Sequence, residues 1–137
     1  MGISMVIDSQ VRGFAQAARN TSDSLSMLQT VDGSLGQVHG ALQRMRELAI
    51  NSSNGTLGSA ERTNLQTEFA QLQSEIDRIA SSTKFGNVSI LNAKVTYTLQ
   101  VGANNTTNDQ ISVVIAASDV TTLGVNASTV GAQTDAQ

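Results

Sequence analysis

Cysteine, proline and tryptophan are absent from this 137-residue sequence, and the remaining aromatics are three Phe and one Tyr. Without cysteine there can be no disulfide staple and no thiolate-ligated metal. Without proline nothing interrupts long helices by removing a backbone donor. Scarce aromatics and only 14% charged residues leave Leu, Ile, Val and Ala as core material among abundant Ser, Thr, Asn and Gln. That composition suits thin helices packed side by side in one domain. Eight Lys and Arg against eleven Asp and Glu give a net charge of −3. The cations are scattered, so no basic stripe awaits a phosphate backbone and nucleic acid is not an expected partner. No stretch reaches the roughly 18 apolar residues of a membrane span. Met1-Gly2-Ile3-Ser4-Met5 lacks the charged start and apolar run of a cleavable signal, so export would have to use another route.

What the chain does have is helical periodicity. From residue 4 to residue 53, apolar side chains return at Val11, Phe14, Ala18, Thr21, Leu25, Leu28, Val31, Leu35, Val38, Leu42, Met45 and Ala49. The steps alternate three and four, with one extra three between Leu28 and Val31, which predicts a heptad stripe with a stammer. A helix of this length, ~75 Å, must lie against other long elements. Gly13, Gly33, Gly36 and Gly40 each cost about 1 kcal/mol relative to alanine, so the expected weak point is near Gly33. These glycines read either as tolerated within the bundle or as points of close approach.

The helix should end at Asn51-Ser52-Ser53-Asn54-Gly55, with Gly55 in the left-handed conformation. After a loop over 54–59, with Ser59 as N-cap and Glu61 in the first turn, a second helix is expected over about 60–80. Its face is Leu65, Phe69, Leu72, Ile76 and Ile79. So short a loop makes the two helices antiparallel neighbours, bringing Glu68 towards Arg44 and Leu48. Beyond a turn at Gly86-Asn87, alternating Val95, Tyr97, Leu99 and Val101, then Ile111, Val113 and Ile115, predict a β-hairpin with strands near 94–101 and 110–116. A lone hairpin is marginal, so its apolar face should lean on the end of the helical rod. From 117 the chain reads as loop, with Leu123 and Val125 as anchors, and 128–137 as the opening of another helix. The predicted class is mainly α with a small β-hairpin, built as a long antiparallel helical rod: two helices over 1–85, turn and hairpin over 86–127, and the start of a returning helix over 128–137.

Four blocks now stand out: Gln43-Arg44-Met45-Arg46-Glu47-Leu48-Ala49, Glu75-Ile76-Asp77-Arg78-Ile79-Ala80, Thr83-Lys84-Phe85 with its turn, and Leu99-Gln100-Val101-Gly102-Ala103-Asn104. Their order and spacing resemble bacterial flagellin over nearly the whole chain. Where that family usually reads Phe-Asn-Gly, this sequence has Phe85-Gly86-Asn87, and the turn is expected to survive as a different type. The resemblance implies the rod-like core of a filament subunit, exported to the bacterial flagellum without a cleavable signal and polymerising outside the cell. It also implies that the inner-tube segments and most of the returning helix lie outside this chain, so the sequence reads as a core fragment whose apolar stripe is under-covered. The expected partners are other flagellin subunits and, through the C-terminal part, an export chaperone. A hook–filament junction protein, another flagellin-like axial protein and a generic coiled-coil module are the alternatives.

No catalytic constellation emerges. His39 is the sole histidine, with no serine, carboxylate or second ligand tied to it by spacing. Glu75 and Asp77 point to different sides of a helix, poor geometry for a metal or a carboxylate dyad, while Glu75 and Arg78 should form a surface pair. No enzyme activity, cofactor or metal is expected. The expected site is for recognition. Arg44 and Leu48 share a helix face, and Leu48 lies about 100° from the seam position Ala49, so it reads as an exposed apolar side chain between charges. In the resembled family the matching Arg, Leu and Glu form the central contact with the vertebrate flagellin-sensing Toll-like receptor. The implied interface is Arg44, Leu48 and Glu68 with Gln43, Arg46 and Glu47. The alternative is that Leu48 broadens the bundle face while Arg44 and Glu68 pair across the helices.

Overall fold

A computed structural model describes residues 2–130. Helix α1 runs unbroken over Gly2–Ser52 and helix α2 over Ser59–Ser82. At 1.5 Å per residue these are about 76 Å and 36 Å long. Strands β1 (Lys84–Phe85) and β2 (Val88–Ser89) form a miniature hairpin, and β3 (Val95–Gln100) and β4 (Gln110–Ile115) a larger one. Both pairs are antiparallel, with Val95 opposite Ile115 and Gln100 opposite Gln110. The sequence anticipates both helices, the hairpin and its strand ends to within a residue or two.

The weak point expected near Gly33 does not interrupt the helix. α1 passes straight through Gly33, Gly36 and Gly40, where an added Cβ would meet nothing within 4 Å. Close approach instead occurs at Gly13, whose added Cβ would sit 3.0 Å from Ala103 Cβ at the tip of the large hairpin.

The buried seam of α1 also differs from the predicted stripe. Inward-facing positions are Gly13, Ala17, Asn20, Ser24, Met27, Val31, Ser34, Val38, Ala41, Met45, Leu48 and Ser52. These alternate four and three without interruption, so there is no stammer. The apparent stammer marks the point where the expected stripe, which starts one residue around the helix, first steps onto the true seam at Val31. Before it, Val11, Phe14 and Leu25 are exposed.

Each half of the seam has its own partner. From Val38 to Ser52 it faces α2, and Val38, Ala41, Met45 and Leu48 pack with Phe69, Ile76, Ile79, Val120 and Val130. Burial of each large aliphatic side chain here contributes about 1.5–3 kcal/mol. α2 is less than half as long and ends beside Ser34, where Thr83 Oγ1 donates to Ser34 Oγ at 3.0 Å. From there the β3–β4 hairpin takes over. Met27 and Val31 pack with Ala80, Ile90, Leu91 and Ile115, while Tyr97, Leu99 and Val113 lean on that cluster. Asn20 Nδ2 donates to Gln100 O further along. The hairpin thus lies along the middle of α1, because its long axis continues the track of α2, rather than at the end of the rod.

Helix ends depart from expectation in two places. Gly55 is not in the left-handed region; among the described residues only Gly86 (φ +61°) and Gly124 (φ +73°) are. The closing carbonyls of α1 are met locally, Ala49 O and Ile50 O by Ser53 N–H and Asn51 O by Asn54 N–H. Arg62 of α2 reaches the last, its Nη1 donating to Ser52 O at 2.7 Å and its Nη2 to Asn54 O in the loop at 3.2 Å. The N-cap of α2 is Gly58, not Ser59, and Glu61 Oε2 accepts its N–H at 2.5 Å. Gly86 holds the first central position of the β1–β2 turn with positive φ, so the turn survives with glycine leading.

Residues 117–130 form a strap across the α1–α2 core. Its buried anchors are Val120 and Val130, with Val125 packed beside them, whereas the expected anchor Leu123 is exposed. One helical turn within the strap closes with Val125 N donating to Val120 O and Gly124 N to Thr121 O, the pattern that requires a left-handed Gly124. Asp119 heads this turn. Hydrogen bonding from the Thr122 side chain, and then from nearby backbone, holds its carboxyl below the usual aspartate range. Of the returning helix expected over 128–137, residues 128–130 are not helical and the rest lie outside the described residues.

Candidate interaction surface

Arg44 sits on α1 opposite the middle of α2 because the antiparallel hairpin of helices brings residues 24 apart in sequence into register. Arg44 Nε donates to Glu68 Oε1 at 2.7 Å and Nη1 to Glu47 Oε2 at 3.0 Å. The hydrogen bond to Glu68, followed by that to Glu47, raises the Arg44 pKa above its ordinary value. The cluster is open to solvent, with about half of the Arg44 side chain and 41% of that of Glu68 exposed. Solvent-screened pairs of this kind add little to stability, and what they fix is the direction of the guanidinium.

Leu48 does not join this surface. It is 2% exposed and packed in the α1–α2 core, while its neighbour Ala49 faces solvent. The expectation of an exposed Leu48 beside a buried Ala49 is therefore reversed, since the true seam runs Ala41, Met45, Leu48. The exposed apolar side chain next to the charges is Ile50, 64% accessible, lining a shallow depression with Gln43, Arg46 and Glu47. The sequence gives Ile50 the right signal, three residues after Glu47 and four after Arg46, once the seam is placed on Leu48. Gln43 Nε2 also lies 3.0 Å from His39 Nε2. Arg46 borders a second, more apolar groove with Leu42, Met45, Ala49, Phe69, Val125 and Val130.

The other polar residues of α2 work within the chain. Arg78 pairs with Glu75, whose carboxyl is held below its ordinary pKa chiefly by that hydrogen bond. Asp77 Oδ1 accepts the Val120 N–H at 2.9 Å, Gln73 Nε2 donates to Val125 O at 2.5 Å, and Gln66 Oε1 accepts the Val130 N–H at 2.7 Å. The spacing of Gln66, Gln73 and Asp77 puts all three on one helix face, and together they clamp the strap. Sequence reasoning missed them because their partners are backbone groups some 43 to 64 residues away. Among the described residues no three His, Asp or Glu side chains gather as metal ligands, and no helix is long and apolar enough to cross a membrane.

A very long helix with a heptad seam, a second stripe left open and a solvent-facing ion cluster define an elongated helical-rod protein. The comparisons agree. The family model for the bacterial flagellin N-terminal helical region matches residues 1–96, and the chain belongs to the bacterial flagellin family. It is 46% identical over 106 residues to a flagellin of Halalkalibacterium halodurans, spanning 77% of this chain and 39% of that one. It is 44% identical over 94 residues to the flagellar filament 41 kDa core protein of Borreliella burgdorferi, spanning 69% of this chain and 28% of that one. The crystal structure of Bacillus cereus flagellin superposes with a TM-score of 0.65 at 30% identity, covering 82% of this chain and 65% of that chain. The chain thus spans about two fifths or less of the length of these sequence relatives.

Proposed function

We propose that this chain forms the rod-like core of a flagellar filament subunit, structural rather than enzymatic, working outside the cell against other copies of the same subunit. The observation that carries the reading is the second stripe of α1. Val11, Phe14 and Leu25 are 60%, 62% and 56% exposed at heptad spacing, alongside the buried seam. Nothing described in the chain covers them, and a row of large apolar side chains on a rod is a surface for another helix. The relatives named as flagellins and as a filament core protein support the same reading. With Phe14→Asp and Leu25→Asp introduced into the gene in its parent cell, filaments seen by electron microscopy should be short or absent and swimming lost. Helicity of the purified chain should be unchanged. Normal filaments would overturn the proposal.

A second role rests on the Arg44 cluster. As a free subunit the chain is a ligand for the flagellin-sensing Toll-like receptor, with Arg44, Glu47 and Glu68 at the centre of the contact and Gln43 and Arg46 beside it. The exposed, pre-aimed guanidinium supports this, and Leu48 contributes from beneath by holding α1 against α2. Arg44→Ala should weaken binding to the receptor ectodomain roughly ten- to hundredfold while leaving the circular dichroism spectrum intact. Unchanged affinity with unchanged helicity would sink this role.

A further inference from the structure

We propose that Asn54 is a site of spontaneous covalent modification, deamidating through attack of the Gly55 backbone nitrogen on its own side chain. Asn54 is the sole asparagine in the sequence that is followed by glycine. Both residues are exposed in the connection between α1 and α2. Three features make this connection reactive. Thr56 N–H donates to Asn54 Oδ1 at 3.2 Å, closing a ring of about ten atoms, the Asx turn, that contains both Asn54 Cγ and the Gly55 nitrogen. The same bond draws electron density from the Cγ carbonyl, which makes that carbon the more electrophilic. Gly55 N–H donates to no acceptor among the described residues, so its proton is open to hydroxide. Finally, glycine carries no Cβ to crowd the approach, and the space where one would sit is empty for 4 Å. Asn51, three residues earlier, has the opposite setting: it lies within α1, its helical backbone fixed and Ser52 following.

The reaction balances with water as the co-reactant. Hydroxide removes the Gly55 amide proton, and the nitrogen attacks Asn54 Cγ to form a five-membered succinimide. The bond from Cγ to the side-chain nitrogen breaks, and that nitrogen leaves as ammonia after taking up a proton. Water then opens the imide at either carbonyl, giving aspartate or isoaspartate. The isoaspartate product inserts Cβ into the main chain, which displaces the Asn54 carbonyl from Arg62 Nη2 and from Leu57 N–H. The result is a slow, one-way loosening of the α1–α2 connection that records the age of the molecule.

The test uses the intact chain held in mildly alkaline buffer, digested with trypsin and followed by tandem mass spectrometry on the peptide of residues 47–62, which holds Asn51 and Asn54. Labelling with an isoaspartyl methyltransferase reports the isomerised product. Asn54 should convert about tenfold or more faster than Asn51 or any other asparagine. Gly55→Ala, compatible with the observed backbone because Gly55 is not in the left-handed region, should suppress conversion without loss of helicity. The folded chain should react within about tenfold of the rate of the free 47–62 peptide. Conversion of Asn54 no faster than that of Asn51, or strong protection relative to the free peptide, would overturn the proposal.

Discussion

Leu48 and Arg44 are one helical turn apart and do opposite work. Leu48 is enclosed among Met45, Phe69, Ile76 and their neighbours, so truncating it leaves a cavity lined by side chains that cannot fully collapse. Leu48→Ala should lower unfolding stability by about 2–5 kcal/mol, read from chemical denaturation. Arg44→Ala, removing a solvent-facing guanidinium, should leave the denaturation midpoint nearly where it was. A loss of receptor binding on changing Leu48 would therefore have to be separated from unfolding, whereas a loss on changing Arg44 would not. The same contrast shows what could be read from residues alone. The charges of this surface follow from sequence, because Arg44, Glu47 and Glu68 must lie near one another once the helices are antiparallel. The exposure of Leu48 does not, since a shift of one position in the seam turns a helix by 100° and exchanges inside for outside.

Among elements, α1 is held by two different partners, and its glycines report the difference. At Gly33 the helix surface is open, and at Gly13 the tip of the β3–β4 hairpin sits against the backbone. Gly33→Ala should raise stability by up to about 1 kcal/mol by restricting the unfolded chain and improving helix propensity. Gly13→Ala gains the same propensity but brings Cβ to 3.0 Å from Ala103 Cβ, so it should give no such increase. Thermal unfolding of the two variants side by side checks both statements. The small and polar seam residues Ala17, Asn20 and Ser24 belong to the same device. The two-stranded ribbon comes close to the helix here, with Asn20 Nδ2 bonded to Gln100 O and Ala103 against Gly13, where a row of Leu would hold it away. Periodicity in the sequence is sensitive to large apolar residues, which is why it finds Phe14 and Leu25 and passes over the seam that is buried.

At the scale of the whole molecule, this is a rod about 76 Å long with one side covered from Gly13 to Ser52 and an adjacent apolar stripe open. Apolar surface of that extent drives association. Light scattering behind a sizing column should show molar mass rising with concentration, and Phe14→Ser combined with Leu25→Ser should reduce that rise without changing helicity. A monomer at every concentration would show that the stripe is not sticky enough to bind unaided.

The sequence by itself determined the local elements: where α1 and α2 run, where the chain turns back, and where the period changes from helical to alternating. Those are properties of neighbours in the chain, set by side-chain spacing, by the absence of proline and by glycine at turns. Only the tertiary structure decided which of two stripes 100° apart on α1 is buried, which residues clamp the strap, and how α1 is capped. Each of those depends on the shape and hydrogen-bonding groups of an element distant in sequence. The hairpin needs a track of small residues, the strap needs amide and carboxylate groups on one face of α2, and Ser52 O, the last carbonyl of α1, needs the guanidinium of Arg62.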